Sequence, residues 1–152
     1  AWCLLSDVNR RGDDMRKTAS VASILLGVTL ILGGAATWIV VSTTLGDQQI
    51  TTGDDACLPG RTVAGPFTAY CQADIIEQHT LETTDGLYYA ELDRDDPRRQ
   101  TALTSSFLQA SLFTSILAFG VAAMAAGMGV LFVLIGLGMR DVERRLSELG
   151  ST

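Results

Sequence analysis

Two long stretches of this 152-residue chain contain no ionisable side chain: Thr18 to Gly46 and Gln100 to Met139. A water-soluble domain spreads its apolar residues through a core and interleaves them with charge, whereas 18% charged residues here are confined to the ends and the middle. Between Asp47 and Arg99 there are eleven acids against Arg61, Arg94, Arg98 and Arg99, while the two ends together hold seven bases and six acids. The net charge of -6 therefore belongs to the middle segment, and no basic patch suited to a nucleic acid is present.

The first apolar run, Ala19 to Val41, would be about 34 Å long as a helix at ~1.5 Å per residue, enough for a hydrocarbon core of ~30 Å. Arg16 and Lys17 precede it, and Trp38 lies near its far end, where an indole suits the headgroup level. A cleaved signal peptide is the rival reading, but 23 residues exceed the ~7–15 of a signal core and no A-x-A site follows. In the second run, Thr101, Thr104, Ser105, Ser106 and Gln109 predict a solvated beginning, so the membrane part is placed at 112–139. Asp96-Pro97 suits the start of that helix, because Asp accepts bonds from orphan amides and proline fits the first helical position.

Bases set the orientation. Arg10, Arg11, Arg16 and Lys17 precede the first span and Arg140, Arg144 and Arg145 follow the second, which predicts both termini on the cytoplasmic side of the membrane. The expected architecture is an all-α membrane protein: a two-span transmembrane helical hairpin with a small disulfide-bonded extracytoplasmic cap. Its parts are a cytoplasmic segment 1–18, spans 19–41 and 112–139, an outer region 42–111 and a tail 140–152. Met15-Arg16-Lys17 resembles a bacterial start, which would make 1–14 upstream sequence.

Small residues recur every four positions in both spans: Ala19, Ser23 and Gly27, then Ala118, Ala122 and Ala126, with Ala123/Gly127 and Ala125/Gly129 beside them. Such ridges let helix backbones approach, either between the two spans or against a partner protein or second copy. Neither span holds a charge at depth, which disfavours an ion pump, proton relay or voltage sensor.

In the outer region, Cys57 and Cys71 are expected to pair, since an exported segment sustains disulfides, and Pro59-Gly60 and Gly65-Pro66 supply turns between them. Cys3 is expected to lie inside and unpaired. The run 72–83 predicts a short helix with Ile75, Ile76 and His79 near one face, and 87–92 a short strand or extended segment. This region has too few apolar residues for an independent core, so it is expected to lean on the helix ends and the disulfide. Val142, Leu146 and Leu149 recur at helical spacing and suggest an amphipathic tail.

The chemistry-bearing residues are sparse. His79 is the single histidine, with Glu77, Glu82 and Asp85 near it in sequence. Neither a two-histidine, one-carboxylate iron site nor a zinc triad can be built on one histidine. Glu91, Asp93, Asp95 and Asp96 offer oxygen ligands of the kind calcium takes, but they lack EF-hand order and its turn glycine, and read instead as solvated acids capping the second helix beside Arg94, Arg98 and Arg99. There is no phosphate-cradling glycine loop, serine elbow or dinucleotide fingerprint. No catalytic residue, metal site or cofactor is expected.

Cys71, the run Tyr89-Ala90-Glu91-Leu92-Asp93-Arg94-Asp95-Asp96-Pro97 and the run Ser106-Phe107-Leu108-Gln109-Ala110-Ser111-Leu112-Phe113-Thr114 resemble a group of small two-pass membrane proteins of actinobacteria, over Met15 to about Arg145. Members are often catalogued as aromatic ring-opening dioxygenases. The resemblance implies the same two-span fold in a bacterial plasma membrane and brings no catalytic residues with it. The function expected is that of a non-enzymatic accessory or scaffolding protein whose partners are the lipid bilayer and a membrane protein or a second copy. An envelope sensor binding a cation or ligand through the acidic loop is the alternative, and an oxidoreductase, as the family label suggests, comes behind it.

Overall fold

The computed structural model describes residues 2–149, with side chains described for 12, 15–145 and 148. It is all-helical: α1 spans Trp2–Asp47, α2 Pro66–Thr83 and α3 Arg99–Leu149. The side chains of Cys3, Leu146 and Leu149, to which the sequence assigns an unpaired thiol and an amphipathic tail, lie outside the described set. Contacts divide the chain into two compact units, one built from α1 up to Ala36 and α3 from Ala122 onward, the other from Thr37–Val121.

Local chemistry explains the helix ends. α1 stops at Asp47, where Gln49 turns to φ 52°, and the amides of Gln48 and Gln49 bond back to the carbonyls of Leu45 and Gly46. α2 begins at Pro66, whose missing N–H would have been an orphan in the first turn, and the Thr68 hydroxyl accepts the amides of Ala64 and Gly65. At its other end, Gly86 at φ 82° donates to Leu81 O while the buried Thr84 hydroxyl lies against the carbonyls of Thr80 and Leu87. α3 begins at Arg99, two residues later than Asp96-Pro97 suggested: Pro97 lies in the turn before the helix, and Asp96 Oδ1 accepts the Arg98 amide at 2.8 Å within that turn.

In the unit Thr37–Val121, Val63, Ala69, Ala73 and Leu112 form a buried cluster, flanked by Ile50, Ile76 and Ile116. The segment between α1 and α3 therefore borrows apolar surface from α3 to complete its core. Residues 87–92 form turns rather than a strand, and among the described residues the only β pairing is an isolated antiparallel bridge between Thr51 and Thr62. Strand pairing needs a neighbour with free amides, and around 87–92 the carbonyl of Leu87 is taken by Thr84 and the amide of Tyr88 by Glu91.

Candidate functional site

In the unit of α1 up to Ala36 and α3 from Ala122, the two helices run antiparallel along a seam of very small residues. Among the described residues of this unit, Ser20, Gly27 and Gly34 are the buried positions of α1, and Ala122, Gly129 and Gly136 those of α3. Each set advances by seven residues, two helical turns of ~3.5, which keeps one line of contact facing the partner. A Cβ added to Gly27 would lie 2.5 Å from Gly129 O, and one on Gly129 2.6 Å from Gly27 O. Cβ atoms at Gly34 and Gly136 would meet Ala122 O at 2.6 Å and Ser20 O at 2.9 Å. The backbones touch directly, so no side chain larger than hydrogen fits at those crossings. Two hydroxyls lock the register: Ser20 Oγ donates to Gly136 O at 2.7 Å and Ser23 Oγ to Phe132 O at 2.8 Å.

Of the six residues expected to pack helices, Ser23, Gly27, Ala122 and Ala126 lie in this seam, Ala126 against Gly34. Ala19 is exposed, and Ala118 is half-buried in the other unit. Ser20, Gly34, Gly129 and Gly136 were not among the six, although their seven-residue spacing is present in the sequence.

The other unit contains the acidic middle segment as a compact cap. Cys57 and Cys71 are joined with Cα atoms 5.4 Å apart, fastening the 50–63 loop to α2. Inside that loop the buried Thr52 is the hub: its amide donates to Arg61 O at 2.9 Å, its hydroxyl accepts the Arg61 amide at 3.0 Å and donates to Leu58 O. A second fastening is made by His79 Nε2 and Asp55 Oδ2 at 2.6 Å, both side chains half exposed. The hydrogen bond from His79 holds the Asp55 carboxyl below its ordinary value. Trp38 and Phe119 meet edge-to-face with ring centroids 4.7 Å apart.

Arg98 gathers the acids nearest α3. It forks onto Asp96 at 2.8 Å and reaches Asp85 at 2.7 Å, and its hydrogen bonds hold Asp96 low while Asp96 pushes the guanidinium up. Glu91 Oε2 accepts the Tyr88 amide, and the Tyr88 hydroxyl donates to Glu77 at 3.2 Å, a carboxylate that raises the phenol above its usual range. Arg99 stacks 4.2 Å from the Tyr89 ring and donates to Leu92 O. The four acids singled out as oxygen ligands are thus not drawn together: Asp96 serves Arg98, and Glu91 serves a turn. Among the described residues no three His, Cys, Asp or Glu side chains converge.

A surface cleft of about 410 Å³ lies beside His79, walled by Ile76 and Leu108 and rimmed by Thr80, Thr83, Thr104 and Ser105. Its threonine hydroxyls donate to carbonyls one turn back, from Thr80 to Ile76 O, Thr83 to His79 O and Thr104 to Gln100 O. Thr80 also reaches across to Ser105 Oγ of α3 at 2.5 Å, so the rim hydroxyls already have partners, and His79 is oriented by Asp55 toward the disulfide loop. No family model, curated protein or solved structure matches the chain.

Proposed function

We propose that this is a two-span membrane protein that serves as a non-enzymatic accessory or scaffolding subunit, presenting a prefolded helix pair and a disulfide-fastened cap to a membrane partner. One observation carries the reading. The apolar segments of α1 and α3 are long enough to cross a bilayer, yet only 11% and 17% of their windows are buried within the protein. Leu25, Leu32, Ile39, Leu117, Met124 and Leu131 each expose about 60% or more of their surface outward. Water would penalise so continuous an apolar sleeve, whereas lipid tails or partner helices cover it without cost.

Lengths along the helices agree with this. In sequence, 22 positions separate Arg16 from Trp38 and 21 separate Phe119 from Arg140, close to the ~20 helical residues that a ~30 Å hydrocarbon core bounded by bases and aromatic rings requires. Bases at that end of both segments support cytoplasmic termini and an outer cap. On the cap, Phe67 and Tyr70 stand outward one turn apart on α2, 79% and 54% exposed, and offer a partner an aromatic foothold. The resemblance to small two-pass actinobacterial proteins fits the same reading. An envelope sensor draws less support, because its acids are tied to Arg98 and to turns rather than gathered around an ion.

The test is purification from native membranes in mild detergent, with mass spectrometry of what co-elutes. A stoichiometric companion or a defined homo-oligomer, lost on Phe67→Ala/Tyr70→Ala, is the expected result. A lone monomer would overturn the accessory role.

A further inference from the structure

We propose that a groove between the ends of α1 and α3 binds the headgroup and upper acyl chain of a zwitterionic phospholipid bearing a primary ammonium, of the phosphatidylethanolamine class. The inference rests on the reading of α1 and α3 as spans. The groove, about 690 Å³, belongs wholly to the unit of α1 up to Ala36 and α3 from Ala122, and its size falls within the ~300–1,000 Å³ of small-ligand sites. Gly12, Ala19 and Gly138 leave the space, and Met15, Met139 and Val142 supply apolar walls. Their exposures of 68%, 41% and 57% leave those walls uncovered.

Charge decides which amphiphile fits. Arg16 lines the groove and forms no ion pair among the described residues, so it is available to a phosphate. Glu143 lines the same groove, and its Oε1 is shielded from solvent with no hydrogen-bond donor among the described residues. A carboxylate oxygen stripped of water needs a donor, and Arg16 does not reach it. A phosphate and an ammonium joined by a two-carbon linker in one headgroup match one base and one unsatisfied acid. An anionic glycerol headgroup matches the base alone and meets repulsion from Glu143, and a quaternary ammonium brings charge without an N–H to donate. The arginine is also four residues before Ser20, and the seam pairs Ser20 with Gly136, so the groove sits one turn beyond that hydrogen bond.

The test uses the full chain purified in detergent, with native mass spectrometry after addition of defined phosphatidylethanolamine, phosphatidylglycerol or phosphatidylcholine. One phosphatidylethanolamine per chain is expected to be retained at least tenfold better than either competitor. Glu143→Gln is expected to remove that preference, and Arg16→Ala to lower phosphatidylethanolamine retention tenfold. Equal retention of all three lipids, preference for phosphatidylglycerol, a second copy of the chain in place of lipid, or variants that bind as the parent does would each overturn the proposal. Carbonate extraction of the same membranes separates this failure from failure of the span reading: protein that stays with the membranes but shows no preference refutes the groove alone. Protein released into the supernatant refutes the spans as well. A far-UV circular dichroism spectrum and an SDS unfolding midpoint equal to the parent's show that each variant has kept the helix pair.

Discussion

The two units of this protein solve the same packing problem by opposite means. The cap closes around side chains: Val63, Ala69, Ala73 and Leu112 exclude water, a disulfide fastens Cys57 to Cys71, and Arg98 and His79 bind acids across the surface. Along the helix seam the side chains are small, and Gly27 meets Gly129 backbone to backbone. In water, burying aliphatic groups drives association; if lipid covers the helices, as proposed, that drive vanishes and close van der Waals approach with a few hydroxyl bonds replaces it. Specificity in the cap thus comes from what is added to the backbone, and in the seam from what is left off.

The largest effect that would break this contrast comes from filling the seam. Gly129→Leu places carbon where Gly27 O and Ile31 already stand, and overpacking of this kind costs ~3 kcal/mol or more when backbone must move. Unfolding in rising SDS, followed by far-UV circular dichroism, is expected to show loss of the helix pair at lower SDS. Gly127→Ala, with open space around it, is expected to be neutral or mildly stabilising.

Next comes the disulfide. Cys57→Ser/Cys71→Ser opens a loop of about fifteen residues, worth ~3 kcal/mol in the chain-entropy account. Hydrogen exchange is expected to quicken through the 50–63 loop and α2 while the seam amides of α1 and α3 keep their protection. Parallel loss of both would erase the distinction between the units.

A smaller effect belongs to Ser20→Ala, which removes a buried hydroxyl bonded to Gly136 O, and inter-helix bonds of this sort contribute ~0.6–2 kcal/mol. Its signature is a modest shift in the SDS midpoint, with cap exchange unchanged.

The smallest effect is the pH response of the cap. Asp55 and Asp96 have folded-state pKa values below their ordinary 3.8, so their contribution is present above pH 3.8 and is lost as pH falls through the lower folded values. Thermal melts of the cap between pH 6 and pH 2 are expected to show this acid loss, and Asp96→Asn to reduce it.

Much of this was legible in the residues. Charge-free runs are long-range signals that survive without a partner, and a pair of cysteines in one acidic segment leaves a single pairing, so the apolar helices and the Cys57–Cys71 bond could both be anticipated. Which face of each helix meets the other was not, because the four-residue ladder through Ala19 and the seven-residue ladder through Ser20 are both written in α1. Only α3 chooses between them, by placing Gly136, Gly129 and Ala122 opposite Ser20, Gly27 and Gly34. Gly65-Pro66 reads as a turn, yet Pro66 is the first residue of α2, since a proline that ends one conformation also starts a helix. The Asp55–His79 contact joins residues 24 apart and follows from the disulfide geometry, which no local pattern encodes.

The most direct test is the environment of the outward apolar side chains. Nitroxide labels at Leu32 and Leu131, 65% and 60% exposed, can be placed in a Cys3→Ser background with the Cys57–Cys71 bond kept oxidised, and read by power saturation in lipid vesicles. Strong relaxation by oxygen with little by an aqueous nickel chelate is the expected result, since both positions would face hydrocarbon. Ready relaxation by the nickel chelate at either position would contradict it.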